Sequence, residues 1–149
     1  PFTPVPLTLS TLGVIVTGAA LGPGRGIAVM ALYLAVGALG GPVFAGWESG
    51  WAFASFGYVL GYLPAAAIMG WGARRGRDRN VGTMALAALL ASAAIYAVGL
   101  AWLVMWVPVG FVGGLQLGVL PFLVGDALKI GLAALLLPGA WRLVERLGR

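Results

Sequence analysis

The chain has 149 residues, 61% of them hydrophobic and 9% charged, with a mean hydropathy of +1.02. A soluble domain carries roughly 25% charged and 45–50% apolar residues, so this composition is that of an integral membrane protein. Cysteine and histidine are absent, which excludes disulfide staples, thiol chemistry and the commonest metal ligands, and the net charge of +5 comes from arginines at the ends of apolar segments, a topology pattern and not a nucleic-acid one.

Five apolar segments are predicted, all helical. The first, about 7–21, is short for a span, which needs ~20 residues; Pro4 and Pro6 stop a helix from extending upstream. GPGRG then makes a tight turn into a second segment, about 26–39, which ends in the Gly- and Trp-rich connection GGPVFAGWESGW. The third, about 54–73, runs into the basic loop RRGRDR. The fourth, about 81–105, is followed by a Gly/Pro/Trp-containing connection, about 106–118. The fifth, about 119–137, stops at Pro138 and Gly139, and an amphipathic tail, WRLVERLGR, completes a single membrane domain. The opening PFTPVPLTLSTLG has neither a starting Met nor a basic region, so a preceding segment is expected to be missing.

Positive charge orients these segments. Arg25, the run Arg74, Arg75, Arg77 and Arg79, and the tail Arg142, Arg146 and Arg149 fall on alternate connections, so all are cytoplasmic at once; the two connections without Lys or Arg are external. Trp47, Trp51, Trp102 and Trp106 then lie near the external boundary. They read as an interfacial aromatic belt, with Trp47 and Trp51 as the alternative, a lid over a cavity. The small-xxx-small pairs Gly18/Gly22, Gly57/Gly61, Ala66/Gly70, Ala87/Ala91 and Gly114/Gly118 read as packing within the chain, or else as a docking face for another membrane subunit.

Asp126 and Lys129 stand apart. They lie inside the apolar run VLPFLVGDALKIGLAALLL, in the outer half of the last helix, where a charge costs at least about 2.5–3.5 kcal/mol. At i, i+3 they share a helix face, so they form either a polar ligand site or a mutually neutralising structural pair. Catalysis is excluded on inventory: the four acids are scattered, no metal-ligand cluster exists, and there is no GxxxxGK[ST] loop to hold ATP. The chain reads as a non-enzyme without a cofactor, and any active transport needs energy from another subunit.

The stretches PVPLTLSTLGVIVTGAALGPGRG, YLAVGALGGPVFAGW, FGYVLGYLPAA and GVLPFLVGDALK, in that order, resemble the BioY family, the biotin-binding S components of energy-coupling factor (ECF) transporters. The resemblance implies an all-α bundle of six transmembrane helices, five of them present here, in a bacterial plasma membrane. It implies biotin capture at the outer face and delivery inward with an EcfT-type membrane coupling protein and two cytoplasmic ATPases. The family's Asp-x-x-Lys motif falls on Asp126 and Lys129; Phe44 and Tyr58 match family positions and either wall the ligand ring or pack the core. Ser10 stands where relatives commonly carry Gln, and Ala54-Ser55-Phe56 replaces a common Pro-Thr stretch, which alters expected ligand contacts. The alternatives are an S component for another vitamin or a biotin precursor, and a self-contained small-solute carrier.

Overall fold

A computed structural model describes residues 5–147; Pro4 and Arg149 lie outside them. The described residues form helices and connections without a strand. Helix α1 spans Ser10–Ala38, yet Gly22 inside it takes φ 76° and ψ 175°, a conformation open to glycine because it has no Cβ. Pro23 follows as the first residue of the second limb, where its missing N–H costs nothing. The helix is folded back on itself: a Cβ built on Gly26 would lie 3.1 Å from Gly18 Cα, whereas eight residues of straight helix separate their ends by about 12 Å. The predicted GPGRG turn is thus made by Gly22, and residues 5–9 form a non-helical strap ahead of the first limb.

The segment predicted over 54–73 is broken into α2 (Phe56–Leu60) and α3 (Tyr62–Arg74). Pro64 is the cause: it cannot donate to the Leu60 carbonyl, and its ring crowds that oxygen. Helix α4 (Val81–Trp106) begins at Asn80, whose Oδ1 accepts from Gly82 N at 2.8 Å and Thr83 N at 3.4 Å, a side-chain N-cap. Part of the connection expected over 106–118 is itself helical, α5 (Gly110–Gly118). Helix α6 (Leu123–Leu147) continues through Pro138, where the sequence suggested a stop. One lost backbone bond is tolerated there because the chain beyond is pinned: Trp141 Nε1 donates to Asp78 Oδ2 at 2.6 Å, and Arg79 lies over the Trp141 ring at 4.6 Å.

Small residues set the packing. A Cβ on Gly18 would meet Ala66 O at 2.8 Å, and one on Gly70 would collide with the backbone of Gly22 and Pro23, so the pairs Gly18/Gly22 and Ala66/Gly70 are pressed against each other at the α1–α3 contact. Gly57 and Gly61 of the α2 region face Trp102 and Ile95 of α4, Ala87 and Ala91 are buried, and Gly114 and Gly118 pack α5 on α4 and Tyr58. Each predicted small-residue pair is therefore used inside the chain. Backbones that approach this closely gain dispersion and exclude lipid.

Three stretches are long and apolar enough to cross a membrane, Ser10–Ala38, Val81–Trp106 and Gly110–Leu147; the protein is a multi-pass membrane protein. The turn at Gly22, the loop after α3 and Trp141 share one end of the bundle: a Cβ on Gly22 would lie 3.8 Å from Arg74 Nε, and Asp78 binds Trp141. Arg25, Arg74, Arg77, Arg79 and Arg142 therefore gather there. Asp126 sits fifteen residues before Trp141 on α6, about 22 Å away toward the other end.

Gly70→Val is expected to lower the unfolding temperature sharply, because overpacking against backbone costs roughly 1–3 kcal/mol or more, whereas Gly131→Val, where a Cβ meets nothing within 4 Å, should leave it nearly unchanged. Thermal unfolding in nanodiscs compares the two. By the same measurement Trp141→Phe, which strips the buried Asp78 of its hydrogen bond, should cost about 1–3 kcal/mol, and Arg79→Gln, which loses only the ring contact, about 0.5–1 kcal/mol.

Candidate functional site

Helix α6 turns Asp126 and Lys129 inward; they are 6% and 8% exposed. Lys129 Nζ donates to Asp126 Oδ1 at 2.9 Å. The other carboxylate oxygen, Oδ2, accepts from the hydroxyl of Tyr96, which reaches across from α4. The pair is thus electrically neutral and both carboxylate oxygens are tied, which helps a buried ion pair offset its desolvation. Neither partner is saturated. A carboxylate offers about four lone-pair positions and an ammonium three donors, so both retain capacity for a ligand.

Two small cavities adjoin at this end, each about 40 Å³, room for a few water molecules. One is lined by Asp126, Lys129, Tyr96, Ile95, Phe122 and Thr11. The other is lined by Phe44, Tyr33, Phe53, Ser55, Ser10 and Glu48. Val5, Pro6 and Thr8 of the strap, with Tyr58 and Tyr62, line both. The strap, Tyr58 and Tyr62 thus stand between a cavity with charged walls and one with aromatic walls.

The sequence-predicted residues are distributed accordingly. Asp126, Lys129 and Tyr58 meet at one cavity, and Phe44 lies at the neighbouring one. The Tyr58 hydroxyl donates to Gly118 O at 2.9 Å, which ties α2 to α5, and its ring lies over Gly99 and edge-on to Tyr96 at 6.4 Å. Tyr58 thus presents a ring wall, while its hydroxyl is already engaged. Phe44 is buried against Gly37, with Tyr33 edge-on at 5.4 Å and Phe53 at 5.7 Å, so it packs the core and bounds the cavity at once. Ser10 still reaches the chamber, where its hydroxyl accepts from Thr8 Oγ1 at 2.9 Å.

Trp47 and Trp51, the lid alternative, are 83% and 60% exposed and line neither cavity; Glu48 between them lines the aromatic one. Trp102 is anchored, donating to Phe53 O at 3.0 Å and stacking on Trp106 at 6.0 Å. Sequence reasoning missed Tyr96 and Tyr62. A signal for Tyr96 existed: within α4 the side chains with hydroxyls are Thr83, Ser92 and Tyr96, and one so deep in an apolar helix needs a partner. Asp78, read as a loop charge, is buried under Trp141. Among the described residues no group of three or more acids could hold a metal ion.

Comparisons with known proteins point to one family. The model of the BioY family matches residues 1–146. The probable biotin transporter BioY of Pyrococcus horikoshii is 40% identical over 136 residues, covering 89% of this chain and 78% of the relative. The biotin transporter BioY of Rhizobium etli is 34% identical over 145 residues, covering 91% and 77%. The crystal structure of the S-component for biotin from an ECF-type ABC transporter superposes with a TM-score of 0.83 at 25% identity, covering 95% of this chain and 78% of that one. The family match over residues 1–146, with relatives at 34–40% identity, leads to one conclusion: the chain belongs to the BioY family.

Proposed function

We propose that this chain takes up biotin as the substrate-binding S component of an ECF-type transporter. The observation that carries the reading is the Asp126–Lys129–Tyr96 constellation. It is the buried charged feature of the two cavities, and it lies at the end of the bundle away from the arginines. With the arginines cytoplasmic, the chamber faces outward in a plasma membrane.

Biotin offers two ureido N–H donors, a carbonyl, an apolar thioether ring and a carboxylate tail. In this reading Asp126 accepts from the ureido N–H groups through its remaining lone pairs. Lys129 braces Asp126 and turns a further N–H toward a ligand oxygen. The thioether ring lies along Tyr58 and Tyr62 toward Phe44. Each present cavity is smaller than ligand pockets, which run ≈ 300–1,000 Å³; binding therefore draws the Val5–Thr8 strap aside and joins the two. The fold in this reading is the six-helix bundle that the resemblance implies, and an EcfT-type coupling protein with two cytoplasmic ATPases supplies the energy. The chain itself performs no chemistry on the vitamin.

Calorimetry of biotin with the full-length protein in nanodiscs tests this. Tight binding is expected, weakened by about 10- to 150-fold in Asp126→Ala and Lys129→Ala, since a charge-assisted hydrogen bond is worth roughly 1.5–3 kcal/mol. Tyr96→Phe should weaken it less, by about fivefold or so, as a neutral bond of ~1 kcal/mol is lost. A folded protein that ignores biotin refutes the proposal. Independently of ligand, Lys129→Met should destabilise by about 3–5 kcal/mol because it leaves a buried carboxylate unpaired, and adding Asp126→Asn should restore much of that loss. Unfolding midpoints of the single and double variants read the difference.

A further inference from the structure

The two cavities at the ligand end differ in charge. In the first, Asp126 and Lys129 cancel each other. The second, walled by Phe44, Phe53 and Tyr33, carries one carboxylate, Glu48. Glu48 is exposed there and has no ion-pair partner among the described residues. The residues lining this cavity include no Lys or Arg. The backbone places Glu48 through a strained turn. Trp47, the residue before it, takes φ 63°, in the left-handed region that a bulky residue rarely enters. Its ring is exposed, so packing of that ring does not account for the conformation. Hydrogen bonds close the turn: Phe44 N donates to Glu48 O at 3.2 Å, Trp47 N to Phe44 O at 3.1 Å, and Gly50 N to Gly37 O of α1 at 2.8 Å. Strain of this kind persists where the surrounding structure over-determines it. Its outcome here is a carboxylate set beside an aromatic cavity.

We propose that Glu48 is a specificity-determining residue that reads the charge of the ligand's tail, so that the aromatic cavity favours a tail ending in an amide or an ammonium over one ending in a carboxylate. This inference rests on the biotin reading above and extends its substrate class to amides of the vitamin. With the ureido group at Asp126 and the thioether ring along Tyr58 and Tyr62, which line both cavities, the tail enters the aromatic one. Its alkyl part lies against Phe44 and Phe53, and its end meets Glu48. A terminal carboxylate is repelled there, and no cation in the lining offsets the repulsion. An amide N–H donates to Glu48 instead, and an ammonium adds charge attraction. Because Glu48 is exposed, water and salt screen the effect, and each step in tail charge changes affinity by about two- to fivefold.

Calorimetry on the full-length protein in nanodiscs tests this with ligands that share the rings and differ in the tail: biotin, biotinamide and N-(2-aminoethyl)biotinamide, whose tails end in an anion, a neutral amide and a cation. Glu48→Gln should strengthen biotin by about two- to fivefold, leave biotinamide within about twofold, and weaken the aminoethyl amide by about two- to fivefold. In the parent, added salt should narrow the spread between the charged tails, and in Glu48→Gln it should not. Glu48 is exposed, so the variant is expected to fold, and an unchanged unfolding midpoint checks that it does. A Glu48→Gln effect that is the same for every tail, or absent, overturns the proposal and leaves the biotin reading standing. A folded parent that binds none of these ligands overturns both.

Discussion

A carboxylate within a membrane protein has to be satisfied by protein, because lipid offers it nothing. The fold around Asp126 is organised by that requirement. Lys129 is placed one helical turn along to cancel its charge, and Tyr96 is brought from another helix to cover its second oxygen. Holding Tyr96 there fixes the approach of α4 to α6, and the ring of Tyr58 edge-on to Tyr96 extends the same cluster to α2. Tyr58 in turn carries α5 through its bond to Gly118. A chain of side chains that begins at one acid thus sets the mutual positions of four helices.

The opposite end depends on shape instead of charge. Gly18, Gly22, Ala66 and Gly70 let α1 and α3 touch along their backbones, and a side chain at Gly18 or Gly70 would collide with the facing backbone. There the arginines gather around Asp78 and Trp141. The bundle therefore has a polar, hollow end suited to holding a ligand and a close-packed, basic end suited to holding its orientation. The two are joined by α6, which contributes to both.

The sequence declared the all-helical membrane class through its composition, and the family through its ordered motifs. The pair Asp126–Lys129 was legible because charge inside an apolar run is rare and i, i+3 spacing is unambiguous. What escaped was long-range. Tyr96 lies thirty residues from Asp126 and Asp78 sixty-three from Trp141; no local pattern reports such partners. Helix limits were misread where proline rules met tertiary support: Pro64 breaks a segment that looked continuous, and Pro138 fails to end one that looked finished. The Gly-rich stretch before α6 looked like a loop because glycine is a weak helix former, yet Gly114 and Gly118 make a helix worthwhile by letting it sit close to α4 and Tyr58.

The placement of Asp126, Lys129 and Trp141 on α6 has a consequence for biosynthesis. Chains emerge from the ribosome N-terminus first, so α6 is the last described helix to reach the bilayer. Until it arrives, Tyr96 lacks its acceptor and Asp78 its cover, and the chamber has no charged end. Closure of the bundle and pairing of its buried polar groups therefore wait on one helix, and a product truncated before α6 is left with Tyr96 and Asp78 unsatisfied.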